Sequence, residues 1–362
     1  MKLKSIEIIE SKSRISSVDI FRGFAILPVV LFHFNNTLPF GYLGVDLFFV
    51  ISGLLVGSIL ITQYKSRNKI NFFQFVLQRG FKIWPSYYSF FIFGTILGMV
   101  LLEGSPKWEV FRWGKDLFRY LFFYQNYTGK PFHWSFDHVW SLCIEEHFYI
   151  LLPILFIITA IIFRNNFRML LLGICGLIFS GIIFKFFSYY FMPDFETYSA
   201  THTRIDSLGW GVLLGLLVNY YEEFLFKRKK QLVLLFIGGL ILFFANILLL
   251  EHLHGKFYKS TIFHTVAPFC FFLMILGLYY KDFSKWKVIR FIAYYSYNWY
   301  LWHPIFVLIV IKYFGVNWYA LVIYLLLSFI TAVIFTIFVE ENFLRWRNPI
   351  LQKFFKPKIE SS

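Results

Sequence analysis

The sequence is short of charge and of cysteine. Asp, Glu, Lys and Arg make up 15% of 362 residues, where soluble proteins carry about 25%. So little charge cannot coat a water-facing globule of this length. The three cysteines, Cys143, Cys175 and Cys270, each sit in an apolar run and are too few for a disulfide framework. Disorder is excluded from the opposite side, because 58% of the residues are apolar and 50 are phenylalanine. What remains is a chain whose solvent is lipid.

The apolar residues are gathered into runs of about 20, the length a helix needs to cross a bilayer. Ten such runs lie near 17–36, 43–63, 81–102, 139–163, 168–188, 205–220, 231–250, 262–280, 290–311 and 317–339. The sixth is the shortest and opens with polar residues. A further run, Leu117 to Tyr127, is too short to span and reads as re-entrant or interfacial. The runs are continuous, whereas barrel strands alternate over about ten residues. The expected fold is therefore an all-α integral membrane protein, a bundle of about ten transmembrane helices. The Lys-rich start is followed by no small-residue cleavage site, so the first run reads as a retained span.

Lys and Arg set the orientation, because they accumulate on the cytoplasmic side. With the N-terminus inside, that side collects Lys2 to Arg14, Lys65 to Lys82, Arg164, Arg168, the Lys227–Lys230 block, Lys281 to Arg290, and Arg345 to Lys358. Both termini are then cytoplasmic. The layout is a cytoplasmic segment at 1–16, a membrane domain at 17–340 and a basic cytoplasmic tail at 341–362. The net charge of +15 is thereby membrane topology, and no nucleic acid is implied.

An ionisable residue inside a bilayer is costly and marks a candidate site. Arg22 and His33 share the first run, eleven residues apart. That spacing puts them on one helix face with a rise of about 16 Å. Snorkelling of Arg22 to headgroups and an interfacial His33 are the plain alternatives. Asp46 opens the second run, where Gly44, Ser52, Gly53 and Gly57 favour close packing. Arg79, Lys82, Trp84, Pro85, Tyr87 and Tyr88 lead into the third, either as a basic and aromatic belt or as an anion-binding mouth shaped by a bend at Pro85. In the fourth run His138, Ser141, Glu145 and Tyr149 recur on one face, with Glu146 and His147 turned away. Arg204 and Asp206 stand at the opening of the sixth. His303-Pro304 lies mid-run in the ninth and suggests a broken helix lining a cavity. His252, His254 and His264 have no completing carboxylates or thiolates, and no metal is assigned.

These candidates form two layers. Arg22, Arg79 and Lys82 make an inner cationic layer suited to an anion. His33, Asp46, His138, Glu145, Arg204, Asp206 and His303 make an outer or middle layer mixing imidazole with carboxylate, as acid–base chemistry requires.

The ordered motifs resemble the acyltransferase-3 family of integral membrane acyltransferases over about residues 17–347. They are Arg22 with His33, Gly41-Tyr-Leu-Gly-Val-Asp-Leu-Phe-Phe-Val-Ile-Ser-Gly53, Trp140-Ser-Leu-Cys-Ile-Glu-Glu-His-Phe-Tyr-Ile-Leu-Leu-Pro153, Thr203-Arg-Ile-Asp-Ser-Leu208 and Ser296-Tyr-Asn-Trp-Tyr-Leu-Trp-His-Pro304. The resemblance implies a multi-pass protein of the bacterial inner membrane. It implies transfer of an acyl group, usually acetyl, from cytoplasmic acyl-coenzyme A to a hydroxyl of a surface polysaccharide or lipopolysaccharide sugar. The partners implied are membrane lipid and a surface glycan or lipid-linked sugar. The family's Arg–His pair falls on Arg22 and His33, and its glutamate after Trp-Ser-Leu on Glu145. Its arginine-rich start of the third span matches only at Arg79, with Gly80 and Lys82 replacing arginines. The family's Glu-Arg-Pro becomes Glu340-Glu-Asn342, so no role is carried there. On this reading Arg22, Arg79, Lys82, Tyr87 and Arg204 hold the donor, and His33 is the base. Glu145, Asp46, His138 and His303 are the accompanying catalytic candidates. A transporter or flippase for a polysaccharide precursor is the alternative; it would move substrate without consuming thioester.

Overall fold

The computed structural model describes residues 15–66, 70–102, 115–127, 134–192, 198–253 and 255–355, and structural statements below concern these. The basic residues of 1–14, Arg67, Lys69, His254, Lys356 and Lys358 lie outside them. Each apolar run is helical, and no strand occurs among the described residues. We number the long helices α1 Ser16–His33, α2 Gly44–Lys65, α3 Phe72–Leu101, α4 Trp140–Ile162 and α5 Phe167–Phe191. They continue as α6 Thr201–Tyr220, α7 Val233–Leu253, α8 Lys256–Leu278, α9 Lys287–Phe314 and α10 Trp318–Phe355. Lys115–Leu121 is a short helix followed by a turn at Gln125–Tyr127, in place of the short apolar run.

Among the described residues, eight of these helices are long and apolar enough to cross a membrane. The expectation of about ten apolar spans is narrowed by α6 and α9. Both are long enough, at 20 and 28 residues, but polar. They carry Arg204 and Asp206, and the Tyr294–His303 stretch, with Arg204, Asp206, Asn298 and His303 all buried.

The break expected at His303-Pro304 is absent, and the bend expected at Pro85 does not interrupt its helix. The backbone stays helical through Pro85 in α3 and through Pro304 in α9. A proline removes one helical hydrogen bond, and packed neighbours hold the rest of the ladder in place. His303 is therefore a fully buried side chain on a continuous helix, not the edge of a broken one. α3 also starts nine residues ahead of the expected 81. Asn71 caps it, its side chain accepting the Gln74 N–H at 3.1 Å.

The chain divides into two compact units. The first comprises Met1–Ile70, Arg112–Phe132 and Asp137–Tyr294, and the second Asn71–Phe111, His133–Phe136 and Tyr295–Ser362. In the first, α2 and α6 pack most closely. A β-carbon at Gly53 would collide with the Leu208 carbonyl, and one at Gly211 with the Val50 carbonyl. Gly44 meets the Ala25 carbonyl of α1 in the same way. Lipid offers no hydrophobic drive between helices, so such close approach supplies dispersion contact instead. This bears out the packing role expected of Gly44 and Gly53. In the second unit, Phe90 of α3 packs edge-on against Trp302 of α9 at 5.3 Å, and Trp302 lies 4.3 Å from Phe335 of α10. A π turn at Thr336–Glu340 interrupts α10, an irregularity often found at functional positions.

Candidate functional site

In the first unit, Arg22 and His33 lie in one uninterrupted helix, α1, as their spacing requires. Both are half-buried. The His33 Nδ1 is 2.8 Å from the Val29 carbonyl. A carbonyl only accepts, so the neutral ring carries its proton on Nδ1 and its lone pair on Nε2.

Glu145 lies one and a half turns into α4. The Tyr149 hydroxyl donates to Glu145 Oε2 at 2.8 Å, joining the two residues that the helical spacing placed on one face. The same Tyr149 oxygen is 2.7 Å from Ser52 Oγ of α2. His138 is buried just ahead of α4, where its carbonyl accepts the Ser141 hydroxyl at 3.2 Å. His147, which turns away from Glu145, has Nδ1 2.7 Å from Thr201 Oγ1 at the start of α6.

Asp46 and Arg204 meet as a buried ion pair, and Lys185 of α5 pairs with Asp206 of α6. Ser207 donates to Asp46 Oδ1 at 3.4 Å. Lys185 also donates to the His264 carbonyl at 2.9 Å. His264 Nδ1 lies 4.0 Å from Asp46 Oδ2. Tyr198 covers the Arg204 guanidinium at 5.1 Å. These charges are neutralised pairwise, as burial in low dielectric demands. Sequence reasoning gave Lys185 no role, and set His264 aside. The available signal was burial of an ionisable residue; the partners lie far along the chain.

In the second unit, Arg79 sits above the Phe75 ring at 6.0 Å. Lys82 pairs with Glu340, which also accepts from Asn298 Nδ2 at 2.9 Å. Asn298 Nδ2 reaches Thr336 Oγ1 at 2.9 Å as well, so the π turn is tied to α9. Sequence reasoning assigned Lys82 to an anion and assigned Glu340 nothing; the structure gives Lys82 a protein carboxylate. Gly80 has a local reason. A side chain there would collide with the Trp84 ring, which lies across the α3 backbone. Tyr87 is buried at 1% exposure. His303 is fully buried, its Nδ1 3.1 Å from the Trp299 carbonyl. No group of three or more metal-ligating side chains occurs among the described residues.

A multi-pass membrane protein with charge pairs buried among its helices is the class these features define. The chain belongs to the acyltransferase-3 family: the family described as Acyltransferase domain matches residues 15–340. It is similar to O-acetyltransferase OatA of Staphylococcus aureus strain NCTC 8325 / PS 47, with 28% identity over 377 aligned positions, 98% of this chain and 60% of that protein. OatA of strain COL gives the same values. The chain thus spans about three-fifths of the length of these relatives. No solved structure matches it.

Proposed function

We propose that this chain is a membrane O-acyltransferase, moving an acetyl group from acetyl-coenzyme A on the cytoplasmic side to a hydroxyl of a surface polysaccharide sugar on the other. Family membership and similarity to proteins named O-acetyltransferase support acetyl transfer to oxygen. The basic-residue bias supports the direction, with both termini in the cytoplasm of a bacterial inner membrane. The observation that carries the reading is the His33 ring, held by Val29 with Nε2 as its basic nitrogen, on the helix that also bears Arg22.

In this reading Arg22 meets the phosphate end of the donor, and the pantetheine arm follows α1 toward His33. The rise between the two residues, about 16 Å, matches an extended arm in scale. His33 Nε2 takes the proton of the attacking hydroxyl, and Glu145, fixed by Tyr149, is the accompanying carboxylate. Asp46 and Arg204 hold α2 to α6 around the site. Donor contacts at Arg79, Lys82 and Tyr87, and contributions from His138 and His303, rest on residue chemistry alone.

The test is twofold. Mass spectrometry of surface glycans from cells with and without the chain should show an acetyl mass that depends on it. The purified chain should consume acetyl-coenzyme A when that glycan is added. Movement of a glycan precursor with no thioester consumed would reject the reading in favour of a transporter.

A further inference from the structure

We propose that Tyr42 is a binding residue for the acceptor sugar: its ring packs against a face of the sugar beside His33, and its hydroxyl hydrogen-bonds a sugar hydroxyl. This rests on the acyltransferase reading and gives the acceptor of that reading a place.

The inference starts from a strained turn. Between α1 and α2 the chain passes through Phe40 at φ 62°. A bulky residue rarely adopts that left-handed conformation, and strain of this kind gathers at active sites and ligand clamps. Gly41 follows with no room for a side chain, because a β-carbon there would collide with the Pro28 carbonyl of α1. The short turn Gly41–Leu43 is thereby pressed onto the last turns of α1 before α2 begins. This delivers Tyr42 to one place. Its ring meets Phe32 edge-on at 5.3 Å, and Phe32 meets His33 at the same distance. A single ring therefore touches both Tyr42 and the proposed base.

Tyr42 differs from an interfacial belt residue. Belt tyrosines and tryptophans sit on the outside of a bundle at the headgroups. Trp318 and Tyr319, at the start of α10, are 77% and 46% exposed in that manner. Tyr42 is half-buried. Its other ring neighbours are Tyr198 at 6.0 Å and His264 at 6.2 Å. His264 is 5% exposed, and Tyr198 covers the fully buried Arg204. The Tyr42 ring is thus packed among the ends of α1, α2, α6 and α8, beside the Asp46–Arg204 pair. The basic-residue bias puts these ends on the outer side, where a surface sugar arrives.

The Tyr42 hydroxyl is left over. It makes no hydrogen bond to any described residue. Other tyrosines packed within the two units do: Tyr258 donates to Asn246 Oδ1 at 2.7 Å, Tyr297 to the Ile83 carbonyl at 2.8 Å and Tyr149 to Glu145 at 2.8 Å. A packed tyrosine hydroxyl usually finds a partner, and few well-placed polar groups among apolar ones are what orient a bound ligand.

The chemistry selects a sugar. A pyranose has a face of polarised C–H groups and a rim of hydroxyls. An aromatic face is electron-rich and attracts the first. A phenol both donates and accepts, which suits the second. The donor's phosphates require cations instead; Tyr42 and Phe32 bring none, and Arg204 is matched by Asp46. A sugar resting on Tyr42 presents a neighbouring hydroxyl toward His33.

The experiment uses the full chain in lipid nanodiscs, acetyl-coenzyme A, and polysaccharide released from the envelopes of cells lacking the chain. Initial rates over a range of polysaccharide give acceptor KM and kcat, and titration with coenzyme A gives donor affinity on the same preparations. Tyr42→Phe keeps the ring and removes the hydroxyl, and should raise acceptor KM about 3- to 10-fold. Tyr42→Leu also removes the ring and should raise it about 10-fold or more. The loss should fall on KM rather than kcat, as lost ground-state binding does, with donor affinity as in wild type. Wild-type acceptor KM in both variants overturns the assignment and leaves the acyltransferase reading standing. A loss shared equally by donor affinity also overturns it, being the mark of disturbed packing. So does a fall in kcat at unchanged KM, which would move Tyr42 into the chemical step. A wild-type chain that transfers no acetyl to that polysaccharide rejects the reading and the sugar contact with it.

Discussion

Two lysines in this protein meet carboxylates within their own units, and their surroundings differ. Lys185 and Asp206 are exposed by 1% and 0%, and two more groups, the His264 carbonyl and Thr265, take the remaining Lys185 protons. Lys82 is 32% exposed, while its partner Glu340 is 5% exposed and held also by Asn298. The first pair is enclosed by protein on every side. The second is only partly enclosed, on its lysine side. The same contrast separates the sealed Asp46–Arg204 pair from the Ser52–Tyr149–Glu145 chain, whose two ends remain accessible.

The strongest way to break that contrast is to remove one partner of a sealed pair. Lys185→Ala leaves Asp206 uncompensated and should cost about 3–5 kcal/mol of stability, read by thermal unfolding in detergent. The double variant Lys185→Met with Asp206→Leu should recover most of that loss, because desolvation of both ions is relieved together. If the double variant folds but cannot transfer acyl groups, the pair does more than hold helices.

Next in size is Arg22→Ala, which should weaken donor binding by about 10- to 100-fold, the worth of a charge-assisted hydrogen bond. Arg22→Lys should recover part of it, since the charge stays and the fork is lost. Direct titration with coenzyme A reads this; an unchanged affinity would leave Arg22 as a headgroup anchor. Lys82→Ala should cost about 1–3 kcal/mol in stability, because Glu340 loses one donor and keeps Asn298. A larger loss would place Lys82 with the sealed pairs.

The smallest effect concerns the loop after α8. There the Ser284 backbone N–H and hydroxyl each donate to Asp282 at 2.9 Å, holding its carboxyl below the usual carboxylate range. A lowered folded-state value gives stability that is complete above the ordinary carboxylate pKa and lost as pH falls through the lowered one. Asp282→Asn should therefore flatten the acid limb of a melting-temperature profile slightly and leave activity at neutral pH unchanged.

Local features were legible in the sequence, and long-range partners were not. Helix positions followed from run length, and the Glu145–Tyr149 contact from a spacing of four. The close approach at Gly53 followed from its missing side chain. By contrast, Asp46 and Arg204 are 158 positions apart, and Lys82 and Glu340 are 258 apart. Periodicity on one helix carries no information about which helix faces it. Ser52 read as a packing residue because its partner lies on α4. His303-Pro304 misled for a different reason: a proline removes one hydrogen bond, and neighbours decide whether the helix breaks.

The central claim is that His33 is the base of an acyl transfer, and His33→Gln tests it most directly. Glutamine keeps polarity and approximate size but cannot accept the proton. Turnover should be measured with acetyl-coenzyme A and the surface polysaccharide, alongside donor affinity on the same preparation. The account predicts donor affinity within about twofold of wild type and turnover lower by about 10²–10⁴-fold. Near-normal turnover in the folded variant would contradict it.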